Sequence, residues 1–338
     1  MKRNFKLSIF DCQFSIFDFW YVPIVLLIVA LTVGTAQTPA VVAAEGVAKP
    51  VVKTACESRV LFYTSQWQGP RLADGRPKVS DDILARMRKV SIEEAWSILK
   101  NEGYVNQFEG NWQMIHCDVP IVGRALTAQY MPARPDIKKS IDDQGRAEGR
   151  IGASNSWPID MLQKGDVYVA DCFGKVIDGT LIGDNLANSI FTRSGNGVVF
   201  NGGLRDLEGL EQIEGFNAFV RGWHPSFLRE TMLTGINVPL CIGQAIVVPG
   251  DVVLAKREGV IFIPAHLAEK VVKQAEAVML RDRFGHQRLK EGKYTPGQID
   301  GRWSEQIRQD FFKWLEQNID ELRVPKEVIK EILEKRTW

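Results

Sequence analysis

Two short turns carry the residue types from which a small-anion site could be built. The first, Gly183-Asp184-Asn185-Leu186, stands directly before a stretch that reads as a helix. Backbone N–H groups at a helix start have no partner inside the helix and lie at the positive end of its dipole, so they can hold a carboxylate or phosphate. Asp184 or Asn185 acting only as a helix cap is the plainer alternative. The second turn, Gly202-Gly203-Leu204-Arg205-Asp206, follows a hydrophobic strand-like run. Arg205 offers a planar fork of donors for an oxyanion, and Asp206 is a hard oxygen ligand suited to Mg²⁺ or Mn²⁺. A surface Arg–Asp pair is the plainer alternative here. Taken together, the turns have the spacing Asp-x20-Arg-Asp and make a coherent site for a 2-oxo acid with a divalent metal.

Other chemistries find little support. There is no Gly-x-Ser-x-Gly elbow, and His116, His224, His266 and His286 fall in no zinc-ligand spacing. No phosphate-cradling Gly-x-x-x-x-Gly-Lys-Ser/Thr loop exists, and no Gly-x-Gly-x-x-Gly opens a helix. Nucleotide-driven, NAD-dependent and methyl-transferring readings fall away with them. Cys172 and Cys241 lie in strand-like runs and read as buried, inert thiols. His224, in Gly222-Trp223-His224-Pro225, and Lys175 could line the site, with a structural role the plainer reading.

The elements that must position these turns are legible in outline. Ser80 can cap a helix beginning Asp81-Asp82-Ile83, and Ser91-Ile92-Glu93-Glu94 is a capping box whose helix stops at Gly103. From Ile121 to Pro264 the period shortens. Runs such as Val167-Tyr168-Val169-Ala170, Gly197-Val198-Val199-Phe200, Val238 to Ile242 and Gly259 to Ile263 alternate with Gly, Pro and Asp, the signature of strands and tight turns. Asn185 to Phe191 reads as a helix closed by Gly195. Ala265 to Met279 carries an amphipathic stripe, and Ser304 to Asn318 again has helical spacing. The expectation is an α/β fold with one core of mixed β and α elements.

Composition bounds the class. The chain has 338 residues, 42 Lys+Arg against 41 Asp+Glu, a net charge of +1, 45% hydrophobic and 25% charged residues. That balance argues against a dedicated nucleic-acid binder, and five scattered Cys are no disulfide framework. Near the N-terminus, Lys2, Arg3 and Lys6 precede an uncharged run from Val22 to Val33, too short to span a bilayer comfortably. It fits the apolar core of a secretory signal, implying an exported protein. An uncleaved membrane anchor, or a start codon set too far upstream of a cytoplasmic protein, are the alternatives. The divisions expected are a signal or anchor over 1–44, a linker and arm over 45–79, a catalytic domain over 80–292 and a helical extension over 293–338.

Several blocks in order make a family resemblance specific. Gly165-Asp166-Val167-Tyr168-Val169-Ala170-Asp171, Gly183-Asp184-Asn185-Leu186-Ala187, Gly203-Leu204-Arg205-Asp206, Pro249-Gly250-Asp251-Val252-Val253 and Glu258-Gly259-Val260 together resemble the RraA-like family. That family includes the class II 4-hydroxy-4-methyl-2-oxoglutarate aldolases. The resemblance covers roughly Ser80 to Gly292 and implies a swivelling β/β/α-type domain, assembling as a trimer or a pair of trimers. It implies that Gly183, Asp184, Asn185 and Leu186 hold the pyruvate carboxylate, Arg205 the 2-oxo oxygen, and Asp206 the divalent metal. Aldol cleavage leaves an enolate whose charge the metal and Arg205 would stabilise, and decarboxylation of oxaloacetate gives the same enolate. Asp184 is a candidate to orient the water that takes the substrate hydroxyl proton.

The chain also departs from the family pattern. Lys256 stands where the family often has an acidic residue, and Asp282 is the nearest candidate for the acidic residue that a neighbouring subunit's C-terminal helix supplies. Residues beyond about Tyr294 extend past the usual family end, with Trp303, Phe311, Phe312 and Trp314 expected to pack on the body or a neighbour. The competing function is a protein-binding regulator like the family's ribonuclease E inhibitors. Such a regulator can lack both turns, and this chain keeps them.

Overall fold

A computed structural model describes residues 57–322 and 324–335. The proposed signal or anchor over 1–44, and the first part of the expected linker, lie outside the described residues.

Local capping decides where the first helices begin. After the short helix α1 (Glu57–Tyr63), Ser80 accepts the Ile83 N–H at 3.3 Å and opens α2 (Asp81–Met87). Ser91 and Glu94 exchange reciprocal bonds at the start of α3 (Ile92–Asn101), the capping box read from sequence. The arm between α1 and α2 belongs to the folded body. Arg76 is fully buried there, 2.8 Å from Asp166 Oδ2 and 2.7 Å from Asp74 Oδ2.

The strands β1 (Phe108–Glu109), β2 (Gln113–Met114) and β3 (Ile121–Pro132) come next. Two helices, α4 (Pro135–Ala147) and α5 (Trp157–Asp160), separate β3 from β4 (Asp166–Asp171). Alternating units follow: α6 (Asp184–Ser194), β5 (Val198–Leu204), α7 (Leu207–Glu211) and β6 (Ala218–Trp223). Then come β7 (Thr231–Ile236), β8 (Leu240–Ile242), β9 (Ala245–Val247), β10 (Val252–Lys256) and β11 (Gly259–Ile263). The helices α8 (Ala268–Lys290), α9 (Pro296–Asp300), α10 (Glu305–Asn318) and α11 (Lys326–Lys335) complete the chain. Among the described residues no helix is long and apolar enough to cross a membrane.

One mixed sheet organises the body, in the order β1-β11-β10-β3-β4-β5-β6-β2, with β7 also paired to β3. The run β3-β4-β5-β6 is parallel, and the flanking pairs are antiparallel. Alternation splits the strand residues between two faces. Leu126, Tyr168 and Phe200 meet Ala187 and Ile190 of α6 on one face. On the other, Ala125, Val169 and Val199 are covered by Leu240, Ile242 and Val247 of the β8–β9 hairpin. Both faces of β4 are therefore buried, as a central parallel strand requires. This is the α/β class expected from sequence.

A further apolar cluster joins α2, α3 and α8 over β10 and β11. The helical C-terminal extension packs on the far half of α8, where Phe284 meets Trp303 and Phe311 at 5.3 Å between ring centroids. Helix α8 runs beyond the Met279 suggested by its stripe. Gly285 lies within it and lets Ile299 approach, for an added Cβ would stand 2.8 Å from Cγ2. One expectation fails. Cys172 is buried, but Cys241 is exposed, since the period of two that turns Leu240 and Ile242 inward turns Cys241 out.

Candidate active site

The two turns abut at the carboxyl ends of neighbouring parallel strands, where open α/β sheets place their ligands. The loop leaving β4 runs back beside the end of β5. Gly203 N–H donates to Gly179 O at 3.3 Å, Leu181 N–H to Gly203 O at 3.0 Å, and Arg205 N–H to Ile182 O at 3.3 Å. Leu181 and Ile182 are buried in the apolar cluster beneath, which fixes the depth of the turn that follows. Gly183 then caps the start of α6 and Gly195, whose φ of +68° closes it as the sequence predicts, caps its end.

Gly183 brings the pieces together. A Cβ there would overlap Asp206 Oδ2 and stand 3.3 Å from Arg205 Cζ. Arg205 Nη1 lies 3.6 Å from Asp206 Oδ2, and both side chains keep about a third of their surface open (33% and 38%). Asp206 sits in the left-handed region at φ +61°, ψ +42°, a conformation costing a non-glycine residue roughly 1–2 kcal/mol. Although it occupies the N-cap position of α7, its side chain makes no capping bond. The strain therefore aims the carboxylate at Gly183 and does not serve the helix.

Asp184 leans onto α7, the helix that follows Asp206. Its Oδ1 accepts the Asn185 N–H at 2.7 Å, and its Oδ2 lies 2.7 Å from where a Gly209 Cβ would be. The Asn185 amide is already taken, leaving the N–H groups of Gly183, Asp184 and Leu186 without a bonded acceptor among the described residues. The Asn185 side chain is exposed.

A third wall comes from the segment after β6. Arg205 Cζ stands 5.0 Å from the ring centroid of Phe227. His224 donates its N–H to Leu204 O at 3.0 Å, and its Nδ1 accepts the Ser226 N–H at 3.2 Å, so its role there is to hold the turn. Phe227 escapes sequence reading because it is 57% exposed and belongs to no apolar period. The one signal available was the Trp223-His224-Pro225 run closing a strand beside the site.

Cys172 and Lys175 pack against the second turn, where an added Cβ at Gly202 would stand 2.9 Å from Cys172 Cβ and 3.4 Å from Lys175 O. Lys175 reaches toward Glu230 at 3.9 Å. Asp282 is exposed on α8, lining a groove with Arg283, His286 and Lys290, and its charge acts on Glu94. Within one chain it does not join Arg205 and Asp206. Burial, reinforced by Asp171, pushes the Cys172 thiol up to about 12, which keeps it unreactive.

The donor set fits a hard cation that keeps much of its own water. Among the described residues no group of three or more His, Cys, Asp and Glu converges, so a closed zinc-type site is not offered. A partly open carboxylate aimed into a glycine-lined slot suits Mg²⁺ or Mn²⁺, which are commonly held by one or two carboxylates.

Residues 77–262 match the family described as RraA-like, Aldolase/RraA. Protein DlpA of Legionella pneumophila is 29% identical over 56% of this chain and 28% of its own length. The protein named "Putative 4-hydroxy-4-methyl-2-oxoglutarate aldolase" of Halalkalibacterium halodurans is 30% identical over 33% of this chain and 52% of its own length. The chain thus spans about a quarter and about half of these two relatives. Among solved structures, Streptomyces coelicolor RraAS2, described as an unusual member of the RNase ES inhibitor RraA family, superposes with a TM-score of 0.54. It is 22% identical, over 62% of this chain and 100% of its own, a likeness of fold.

Proposed function

The chain belongs to the RraA-like Aldolase/RraA family, and from that premise we propose a divalent-metal-dependent aldolase or decarboxylase that releases pyruvate from 2-oxo acids. The observation that carries this reading is the slot at Gly183, where a missing side chain lets Asp206 and Arg205 close on the residue that opens α6. A protein-binding regulator needs neither a strained Asp206 nor that slot.

The substrate carboxylate would take the Gly183, Asp184 and Leu186 amides at the positive end of α6. Arg205, braced on Phe227, would direct its N–H groups at the 2-oxo oxygen. Asp206 would hold Mg²⁺ or Mn²⁺, which supplies Lewis-acid stabilisation of the negative charge arising on that oxygen. Asp184 would orient a water that accepts the substrate hydroxyl proton. As that proton leaves, the bond between C3 and C4 breaks, its electron pair passes to C3, and the enolate is held at Arg205. Protonation at C3 then gives pyruvate and a carbonyl co-product. Loss of CO₂ from oxaloacetate delivers the same enolate without the hydroxyl step.

Self-assembly as a trimer or a pair of trimers, with Asp282 of one subunit reaching the next site, belongs to the same proposal. So does export through the N-terminal segment, which N-terminal sequencing of the protein from its native cell tests. The activity is tested by assaying pyruvate release from oxaloacetate and 4-hydroxy-4-methyl-2-oxoglutarate with Mg²⁺, then adding chelator. Turnover that chelator leaves unchanged removes the metal from the reading.

A further inference from the structure

Phe227 has two cations on it. Arg205 Cζ lies 5.0 Å and Arg229 Cζ 5.9 Å from its ring centroid. The ring is mostly exposed, yet its loop is firmly tied to the chain leading into Gly183. Arg229 N–H donates to Asp178 O at 2.8 Å, Asp178 N–H donates to Ser226 Oγ at 2.7 Å, and Thr180 Oγ1 donates to Ser226 O. The loop therefore holds a fixed position beside the turn that carries the unpaired amides.

The two guanidinium groups have different surroundings. Arg205 has Asp206 at 3.6 Å. Arg229 has no carboxylate partner among the described residues, while its neighbour Glu230 faces Lys175 at 3.9 Å. Stacking uses the flat face of a guanidinium and leaves its in-plane N–H donors available. An exposed cation beside an aromatic ring, with no carboxylate of its own among the described residues, is suited to take an anion from a ligand.

We infer that Phe227 and Arg229 form a second anion subsite, which binds the remote carboxylate of a dicarboxylic 2-oxo acid while Arg205 binds its keto end. The inference rests on the 2-oxo acid reading of the site and adds the residue that selects among such acids. A substrate with an uncharged tail would leave Arg229 without a counter-ion.

Calorimetric titration of the full chain with pyruvate and with 2-oxoglutarate, in the presence of Mg²⁺, tests it. The readout is the ratio of the two affinities. Arg229→Met should lower the preference for 2-oxoglutarate over pyruvate about fivefold, as expected for a partly exposed ion pair. Arg229→Lys should restore part of it, and Arg205→Met should weaken both ligands. A ratio unchanged by Arg229→Met, with pyruvate still bound, overturns the second subsite and spares the site itself. Absence of pyruvate binding to the unaltered chain overturns both.

Discussion

The Cα of Gly183 lies directly against the Asp206 carboxylate, so that a single added methyl would overlap Oδ2. Two residues more than twenty positions apart thus share one small volume. Gly183→Ala should displace Asp206 and Arg205 together. The expected outcome is loss of Mg²⁺-dependent pyruvate release, with a stability loss of about 1–3 kcal/mol from overpacking. Activity assays beside thermal melts check it. Full activity in the alanine variant would show that the slot is not used.

Arg205 and Asp206 should fail in different ways. Arg205→Ala removes a donor aimed at developing charge, for which a loss on the order of 10²–10³ in kcat is expected. Arg205→Lys should recover little, because a point charge lacks the planar fork. Asp206→Asn keeps a side chain that tolerates the left-handed backbone, so melting temperature should hold while the metal response disappears. Titrating activity against Mg²⁺ in each variant separates the two roles.

Much of this arrangement was legible because its causes are local. Ser80, the Ser91–Glu94 box and Gly195 each act within a few residues, and their helices begin or end where the sequence says. The two strand ends could be aligned because consecutive βαβ units place successive loops on one edge of a sheet. What sequence did not show depends on distant partners. Asn185 loses its amide to the preceding carboxylate, a matter of rotamer. Phe227 matters through a contact with Arg205, and Arg76 through one with Asp166, ninety positions away. Neither leaves a periodic trace.

That last pair makes its own prediction. Arg76 and Asp166 are both fully buried, 2.8 Å apart, and anchor the arm before α2 to the start of β4. Burial works against the Arg76 charge, but Asp166 and Asp74 outweigh it and hold the guanidinium above its ordinary pKa. Arg76→Ala should therefore cost about 3 kcal/mol, since it takes the nearer guanidinium from a buried carboxylate and leaves it with Arg124 Nε at 3.6 Å and the Gln163 N–H. The double variant with Asp166→Asn should be less destabilised than the two single losses combined. Strictly additive losses in denaturant melts would show that the pair is not coupled.

Asp251, in the turn before β10, gives the chain a dependence on pH unlike that of a salt-bridged carboxylate. Burial pushes its pKa up to about 7, against the lowering effect of the Val248 and Ala265 N–H groups that it accepts. In the unfolded chain the same group titrates near 4. Between about pH 4 and pH 7 the folded state therefore holds a proton that the unfolded state has released, and stability falls as pH rises through that window. Asp251→Asn keeps an oxygen to accept the Val248 N–H and removes the titration. The variant's melting temperature should decline less than the native chain's between pH 5 and pH 8, although other groups titrate in both. Parallel declines would mean that Asp251 ionises in the folded state as readily as in the unfolded one, through water or a partner reaching it.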